Sequence, residues 1–462
     1  MNCCSKLRRF YLMLAVVCGL LLLLAGCKPA PTQASTPSAE KLFTATHTRE
    51  VTNSPTLTAT ASPHPTATPS PAPTRLTSKL PLSHVSYRLP LTIRHVTENT
   101  AVLFFELSQP SMGSITLQPV NQTLLTITTS FGADSARHLL TIQGLHPAAS
   151  YEIILSLDEN GQLTQPSFQS RAWTPMQVRT RSEKQRSFRI GIIGDASFGD
   201  TATTALIEQM AQTNLDFVLN LGDVVDETSY GVDPFESYAE KFFTPFEPLL
   251  HQMPVYTVPG NHDYDADMRY EGQPFYAYVF PPFSEDDPAA DDESFTGQFA
   301  LLPAGDLQIL LLDSMTIFGL PGRDAQEAWL AERLADDSFR AAIPVFHVSP
   351  YSSSVVHPQD SAFTRAVWVP QFESAGSVPL VLSGHFHHYE RLLVNDITYL
   401  VSGGGSSILY AAGPYLPESQ VYARQTHFVL LEINEDSLQV SAISVDGTLL
   451  DEHSLPLNQI EK

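Results

Sequence analysis

An all-β sandwich followed by a larger α/β domain is the architecture that this 462-residue sequence predicts, and three observations carry it. Short runs of β-branched and aromatic residues recur between turn signals over residues 80–177, with no segment of helical period among them. From residue 186 onward the pattern changes to apolar strands followed by helical segments, the alternation of an α/β domain. All four cysteines, Cys3, Cys4, Cys18 and Cys27, precede both regions, so neither is a disulfide-stapled module.

The chain opens with Lys6, Arg8 and Arg9, an apolar run over 11–24, and the closing sequence Leu24-Ala25-Gly26-Cys27. The run is short for a membrane span. Its ending resembles the bacterial lipobox. That resemblance implies that residues 1–27 are an export signal, that Cys27 is lipidated and begins the mature protein, and that the rest lies outside the cytoplasm. An uncleaved amino-terminal anchor is the alternative. Residues 28–79 are Pro, Thr, Ser and Ala with few large apolar side chains, too little to offset the entropy of ordering. They read as a disordered linker in which the Pro-rich pieces favour polyproline II, a spacer of up to about 3 Å per residue.

In the domain over 80–177, strands are predicted at 87–93, 101–107, 114–118, 138–142 and 151–157. Leu145-His146-Pro147-Ala148-Ala149-Ser150-Tyr151 resembles the tyrosine corner of fibronectin type III domains. His84, His95, His138 and His146 are scattered and read as surface or structural residues, so the domain is assigned a spacer or docking role.

In the domain over 186–462, strands are predicted at 188–193, 217–221, 255–258, 307–312, 343–346, 380–382, 398–401 and 428–433. Helices are predicted at 201–213, with Asp200 as N-cap, and at 324–334. Function in such domains gathers at the carboxyl ends of strands. At or just after those ends stand Gly194-Asp195, Gly222-Asp223, Gly260-Asn261-His262-Asp263, His347 and Gly384-His385-Phe386-His387. Carboxylate, amide oxygen and imidazole are ligands that intermediate divalent metals accept, and glycine lets the backbone turn sharply before each one.

This series resembles the calcineurin-like metallophosphoesterase superfamily, with its GD, GD, GNH, lone His and GHxH motifs, over about 188–453. Gly384 to Arg391, the later Ser402-Gly403-Gly404-Gly405 and the fibronectin-like domain are most similar to the purple acid phosphatase branch. The resemblance implies a four-layer α-β-β-α sandwich and two divalent or trivalent ions, with iron, zinc or manganese as the expected metals. It assigns Asp195, bridging Asp223 and His387 to one ion, and Asp223, Asn261, His347 and His385 to the other. His262 would contact the substrate phosphate or protonate the leaving oxygen, with Asp263 orienting its ring. The implied reaction is hydrolysis of phosphate esters, monoesters first, by a metal-activated water. Phosphodiester hydrolysis, or a metal-poor module that binds a phosphorylated or glycan ligand, are the alternatives.

The sequence departs from the branch at one place. The tyrosine three positions after the bridging aspartate is Asp226, and the histidine that other members carry two positions after the first aspartate is Ser197. Asp226, Asp200 or an extra water is left to complete the first site. His388 is read as a residue behind the ligands or at the surface, because adjacent side chains diverge, and His251 and His357 receive no role.

Two insertions, 227–240 and 264–293, are predicted as loops that shape access to the site, with Tyr230, Tyr264 and Tyr270 placed either against a substrate's organic part or in the framework. The acidic run at 284–293 reads as solvated surface, since it lacks the glycine-punctuated spacing of a calcium loop. With 49 acidic against 26 basic side chains the formal charge is -23, which disfavours nucleic acid. A small phosphate ester is the expected partner, and membrane contact is expected through the lipid anchor alone.

Overall fold

The computed structural model describes residues 80–458 except 122, 174, 227–230, 266–268 and 283–298. The export signal with Cys27, the linker over 28–79, Tyr230 and the acidic run at 284–293 lie outside the described residues.

The amino-terminal sandwich is built from β1 (Leu82–Val96), β2 (Thr100–Leu107), β3 (Gly113–Pro119), β4 (Ile127–Phe131), β5 (Arg137–Gln143), β6 (Ser150–Glu159), β7 (Gln162–Phe168), β8 (Arg171–Ala172) and β9 (Met176–Arg179). Strand order is β4-β3-β6-β7-β1-β2-β5. The 15-residue β1 joins the two layers by pairing antiparallel with β2 and parallel with β7. All five predicted strands are present, and the topology is compatible with a fibronectin type III-like sandwich. The corner predicted around Tyr151 forms: the His146 N–H donates to the Tyr151 phenol oxygen at 2.9 Å.

The second region runs through β10 (Phe188–Ile193), α1 (Thr201–Ala211), β11 (Phe217–Asn220), α2 (Pro234–Tyr238), α3 (Thr244–Leu250) and β12 (Val255–Thr257). A small hairpin, β13 (Arg269–Tyr270) and β14 (Gln273–Pro274), leads to α4 (Phe275–Val279), β15 (Ala300–Ala304) and β16 (Leu307–Leu311). Then come α5 (Arg323–Leu334), β17 (Ala341–Val348), α6 (Ser361–Ala375), β18 (Leu380–Gly384), β19 (Tyr389–Val394), β20 (Ile397–Ser402) and β21 (Ser419–Ala423). Strands β22 (His427–Ile433), β23 (Ser437–Ser444) and β24 (Leu449–Pro456) complete it.

These strands form two sheets, ordered β12-β11-β10-β22-β23-β24 and β15-β16-β17-β18-β20-β19-β21. Ile190, Leu219 and Val429 of the first pack against Ile309, Val345 and Leu382 of the second. Leu206, Ile207 and Met210 of α1 cover the outer face of one sheet, and Leu330, Trp368 and Phe372 of α5 and α6 cover the other. The result is the α-β-β-α sandwich. Strands β10, β11 and β12 run parallel, as do β16, β17, β18 and β20, so the motif-bearing strand ends share one edge.

The described parts of the two insertions are not the loops that the sequence predicts. Inside them, α2 buries Tyr238 and the short α4 buries Phe275 and Tyr276, and the helical run continues past the first insertion through α3, burying Phe242, Phe246 and Leu249. Phe242, Phe246 and Leu249 recur at helical spacing, and that apolar face needs cover. The sandwich supplies it. Arg88 lies 3.8 Å over the Phe235 ring, Arg137 lies 3.9 Å over Tyr278, and the buried Glu106 accepts hydrogen bonds from Tyr278 at 2.7 Å and Arg88 at 3.1 Å. One apolar cluster therefore runs from the sandwich into α1, α3 and α4.

Trp173 sits in this shared core, its indole N–H donating to the Leu91 carbonyl at 2.8 Å and its ring edge-on to Phe168 and His251. Trp173→Ala is expected to cost about 3–5 kcal/mol and to lower a single thermal transition common to both regions. Calorimetry showing the sandwich melting alone, with the second region unaffected, would contradict the shared core.

Candidate metal centre

The cluster forms where five strand ends meet. Asp195 follows β10, Asp223 follows β11, Asn261 and His262 follow β12, His347 is the penultimate residue of β17, and His385 and His387 follow β18. Three of them are held in the left-handed backbone region, Asp195 at φ 57°, Asp223 at φ 49° and His385 at φ 68°. Such residues are strained, and the strain persists only where surrounding contacts fix it. The contacts join one motif to the next: the His385 N–H donates to Asp195 Oδ2 at 2.9 Å and the His262 N–H to Asp223 Oδ1 at 3.0 Å. The glycines mostly serve close approach, not the turn itself. A Cβ at Gly260 would lie 2.1 Å from Asp223 Oδ1, and one at Gly384 would lie 2.7 Å from Asp195 Oδ2.

Each imidazole of the cluster is pinned through one nitrogen and faces inward with the other. His347 Nδ1 bonds the Leu221 carbonyl at 2.8 Å, leaving Nε2 at 3.2 Å from Asn261 Oδ1 and 3.3 Å from Asp223 Oδ2. His385 Nε2 bonds Asp360 at 3.1 Å, leaving Nδ1 at 3.0 Å from Asn261 Oδ1 and 3.3 Å from His347 Nε2. His387 Nδ1 bonds the Ile408 carbonyl at 2.9 Å, leaving Nε2 at 3.4 Å from Asp195 Oδ1. A nitrogen or oxygen bonded at about 2.1 Å to a shared ion lies roughly 3.0–3.4 Å from its neighbours in octahedral or tetrahedral geometry. The observed separations are of that size. Asp195 Oδ1 is buried with no hydrogen-bond partner, as suits an oxygen reserved for a cation. The ligand atoms of Asp195, Asp223 and His347 lie within 4.8 Å of one another. The residues present therefore fit a metal group.

The charges follow the same geometry. Burial disfavours the charged form of Asp223, yet His347 and His262 outweigh it and hold the carboxyl well below its ordinary range. Burial likewise opposes charge on His347, but Asp223 and Asp195 push its imidazole up to about 10.

The remaining sequence-predicted residues separate. Asp263 does not orient His262; burial and Asp223 push its carboxyl up to about 7, and it accepts from the Gly260 N–H at 2.8 Å and the Val224 N–H at 3.2 Å. Asp265 takes that place. It lies 3.0 Å from His262 Nδ1, with Asp226 Oδ1 at 3.4 Å. The cause is a 3-10 turn over His262–Tyr264, which brings residues three apart to one side and sends Asp263 inward. Burial lowers the basicity of His262, but Asp223, Asp226 and Asp265 together raise it. Asp226, His262 and Asp265 form a second group whose ligand-type atoms lie within 4.8 Å.

Asp200 is occupied elsewhere. It caps α1 through the Thr203 N–H at 2.8 Å and accepts from Ser407 Oγ at 2.6 Å. Ser197 is buried, and its carbonyl accepts the Asp226 N–H at 3.3 Å. His388 points away from the ligands toward the buried Glu390, at 3.2 Å. Tyr264 donates to the buried Asp313 at 2.5 Å and Tyr270 packs on Phe235 and Tyr278, so both serve the framework.

Sequence reasoning missed Asp265, Asp313, Asp360, Tyr410 and His357. Asp313 follows an apolar strand as the ligands do, and that signal was available. Tyr410 stacks on His387 with ring centres 4.1 Å apart and planes 6° apart. His357 lies beside His385, ring centres 5.4 Å apart, with its side chain about half exposed at the rim.

Residues 188–389 match the calcineurin-like phosphoesterase family. Among solved structures, the chain is similar to a purple acid phosphatase from seeds of yellow lupin (Lupinus luteus), with a TM-score of 0.61 and 16% identity over 79% of this chain and 73% of that one. It is also similar to PhoD, with a TM-score of 0.56 and 11% identity over 80% of this chain and 89% of that one. At these identities both are likenesses of fold.

Asp360 turns the His385 ring toward the cluster, and loss of a ligand's orienting partner typically weakens metal affinity by 10–100-fold. Asp360→Asn is expected to weaken binding at the second ion by about that factor, read by competition with a chromophoric chelator. Unchanged affinity would mean that the ring is fixed by packing alone.

Proposed function

We propose that this chain hydrolyses phosphate esters, monoesters first, at two metal ions held by Asp195, Asp223, Asn261, His347, His385 and His387. The observation that supports this best is the common arrangement of three imidazoles, each pinned through its outer nitrogen and turned inward toward Asp195, Asp223 or Asn261. Two bound ions of iron, zinc or manganese would neutralise phosphoryl oxygens and supply a water that is nucleophilic near neutral pH. Asp265 holds His262 through Nδ1 at 3.0 Å, which leaves Nε2 to donate a proton to the phosphate or to the leaving oxygen. Asp226 stands where the branch has tyrosine, and its buried Oδ1 has no hydrogen-bond partner. That favours a carboxylate completing the first site over a metal-poor binding module. Monoester preference rests on the resemblance to purple acid phosphatases and is a choice over phosphodiesters.

Asp223→Asn is expected to abolish hydrolysis of an aryl phosphate and to reduce bound metal from near two ions per chain, measured by elemental analysis. Faster turnover of a bis-aryl phosphate by the native chain would replace the monoester reading by the diester one. Full aryl phosphate activity in the variant would overturn both.

The sequence around Cys27 supports an extracytoplasmic protein, lipid-anchored to the bacterial cell membrane and spaced from it by residues 28–79. Among the described residues no helix is long and apolar enough to cross a membrane. Mass spectrometry of the mature protein is expected to find a lipidated Cys27 at its amino terminus, and an unmodified residue 1 would exclude this.

A further inference from the structure

A second polar cavity, of about 430 Å³, opens between the sandwich and the α/β region at the edge opposite the metal centre. It is lined by the connecting segment after β9 and by the starts of β11 and β12, and it includes Arg179, Arg181, Lys184, Arg186, Asn214 and Asp216. From Phe217 to Asp223 is six residues, so the cavity and the metal centre stand roughly 20 Å apart.

Four cations within eight residues are unusual in a chain with a formal charge of -23. Their local pairing leaves much of that charge available. Arg181 donates to the Pro303 carbonyl at 3.2 Å, and Arg186 reaches Glu435 at 3.4 Å across solvent, with both side chains mostly exposed. Arg179 and Lys184 meet no carboxylate at ion-pairing distance among the described residues. The one acid in the lining, Asp216, already accepts from Gln185 Nε2 at 3.0 Å and the Arg189 N–H at 2.8 Å. Lys184 is also held in the left-handed region, at φ 56°, in a turn closed by the Gln185 N–H to the Ser182 carbonyl at 3.2 Å. Strained backbone of this kind clusters at ligand clamps. The volume falls within the range of small-molecule sites, and converging Arg and Lys groups select oxyanions.

We propose that this cavity binds a small ligand carrying two or more phosphate groups, held by Arg179 and Lys184 with Arg181 and Arg186 at its margin. This site is independent of the catalytic reading and requires no metal. Pyrophosphate is the probe, titrated by calorimetry into the full chain carrying Asp223→Asn to remove competition from turnover. Saturable binding is expected, weakened about 10-fold or more by Arg179→Glu with Lys184→Glu. In the otherwise native chain the same pair should leave aryl phosphate hydrolysis within about twofold, as for distant independent sites. Should that pair not fold, Arg179→Gln with Lys184→Gln serves, with the same loss expected. Competition by vesicles containing phosphatidylglycerol, and not by phosphatidylcholine alone, would identify a lipid headgroup as the source; no competition would identify a soluble one. Absence of saturable binding at millimolar pyrophosphate, or affinity unchanged by both pairs, would overturn the site.

Discussion

The structure around the active edge depends on carboxylates held closer than their charges favour. Asp195, Asp223 and the His347 imidazole bring ligand atoms within 4.8 Å of one another, and two carboxylates at that distance repel by on the order of 3 kcal/mol at an effective dielectric near 20. Strained backbone adds to this at Asp195, Asp223 and His385. The arrangement persists because each motif is hydrogen-bonded to another, and because a rigid polar frame stands behind it. Glu390 accepts from the Ser353 N–H at 2.8 Å and from His388, while Tyr389 and Arg391 hold Asp451 at 2.7 and 2.6 Å. The residues that extend the final motif are therefore anchors, and the inward-facing carboxylates and imidazoles are the part whose geometry suits a cation.

Strands were the most legible part of the sequence, since runs such as 188–193 and 380–384 are largely buried, carry one polar side chain each (Arg189, Ser383), and lead directly to polar residues with ligand chemistry. The candidate ligand positions stand out for the same reason. Their orienting partners do not. Asp360 immediately precedes α6 and Ile408 lies in a loop after the glycine run, both far in sequence from the imidazoles that they pin, and no periodicity links them. The choice between Asp263 and Asp265 was a matter of local geometry: in a 3-10 turn the residue three positions on meets the ring, whereas the adjacent residue points elsewhere. The helices at 234–250 were obscured by Pro245 and Pro248, which punctuate the run although its phenylalanines keep a helical spacing.

The acidic composition takes on a narrower meaning once the charges are located. Spread evenly, a charge of -23 would repel any phosphate. The molecule instead concentrates attraction at two edges of the same sheet. One edge presents carboxylates and imidazoles whose geometry suits cations, and bound cations invert the local potential. The other gathers Arg179, Arg181, Lys184 and Arg186 around a concave surface. Short phosphate compounds can meet either edge, while a long polyanion would have to cross the acidic surface beyond them.

The sandwich has more to do than space the second region from an anchor. Its Arg88 lies over Phe235 and Tyr270, and its Arg94 and Arg137 hold the Pro281 and Tyr278 carbonyls. Phe235 stands in α2 at the start of the helical run, and Tyr270, Tyr278 and Pro281 belong to the segment that begins at the His262 turn. The amino-terminal side of that segment is fixed by the Tyr264 bond to Asp313 and by Asp263 against Gly260 and Val224. His262 and Asp265 thus stand on chain clamped from the α/β core on one side and from the sandwich on the other. A side chain expected to meet a phosphoryl oxygen gains most from such restraint, because misplacement by about 1 Å can cost on the order of 100-fold in rate.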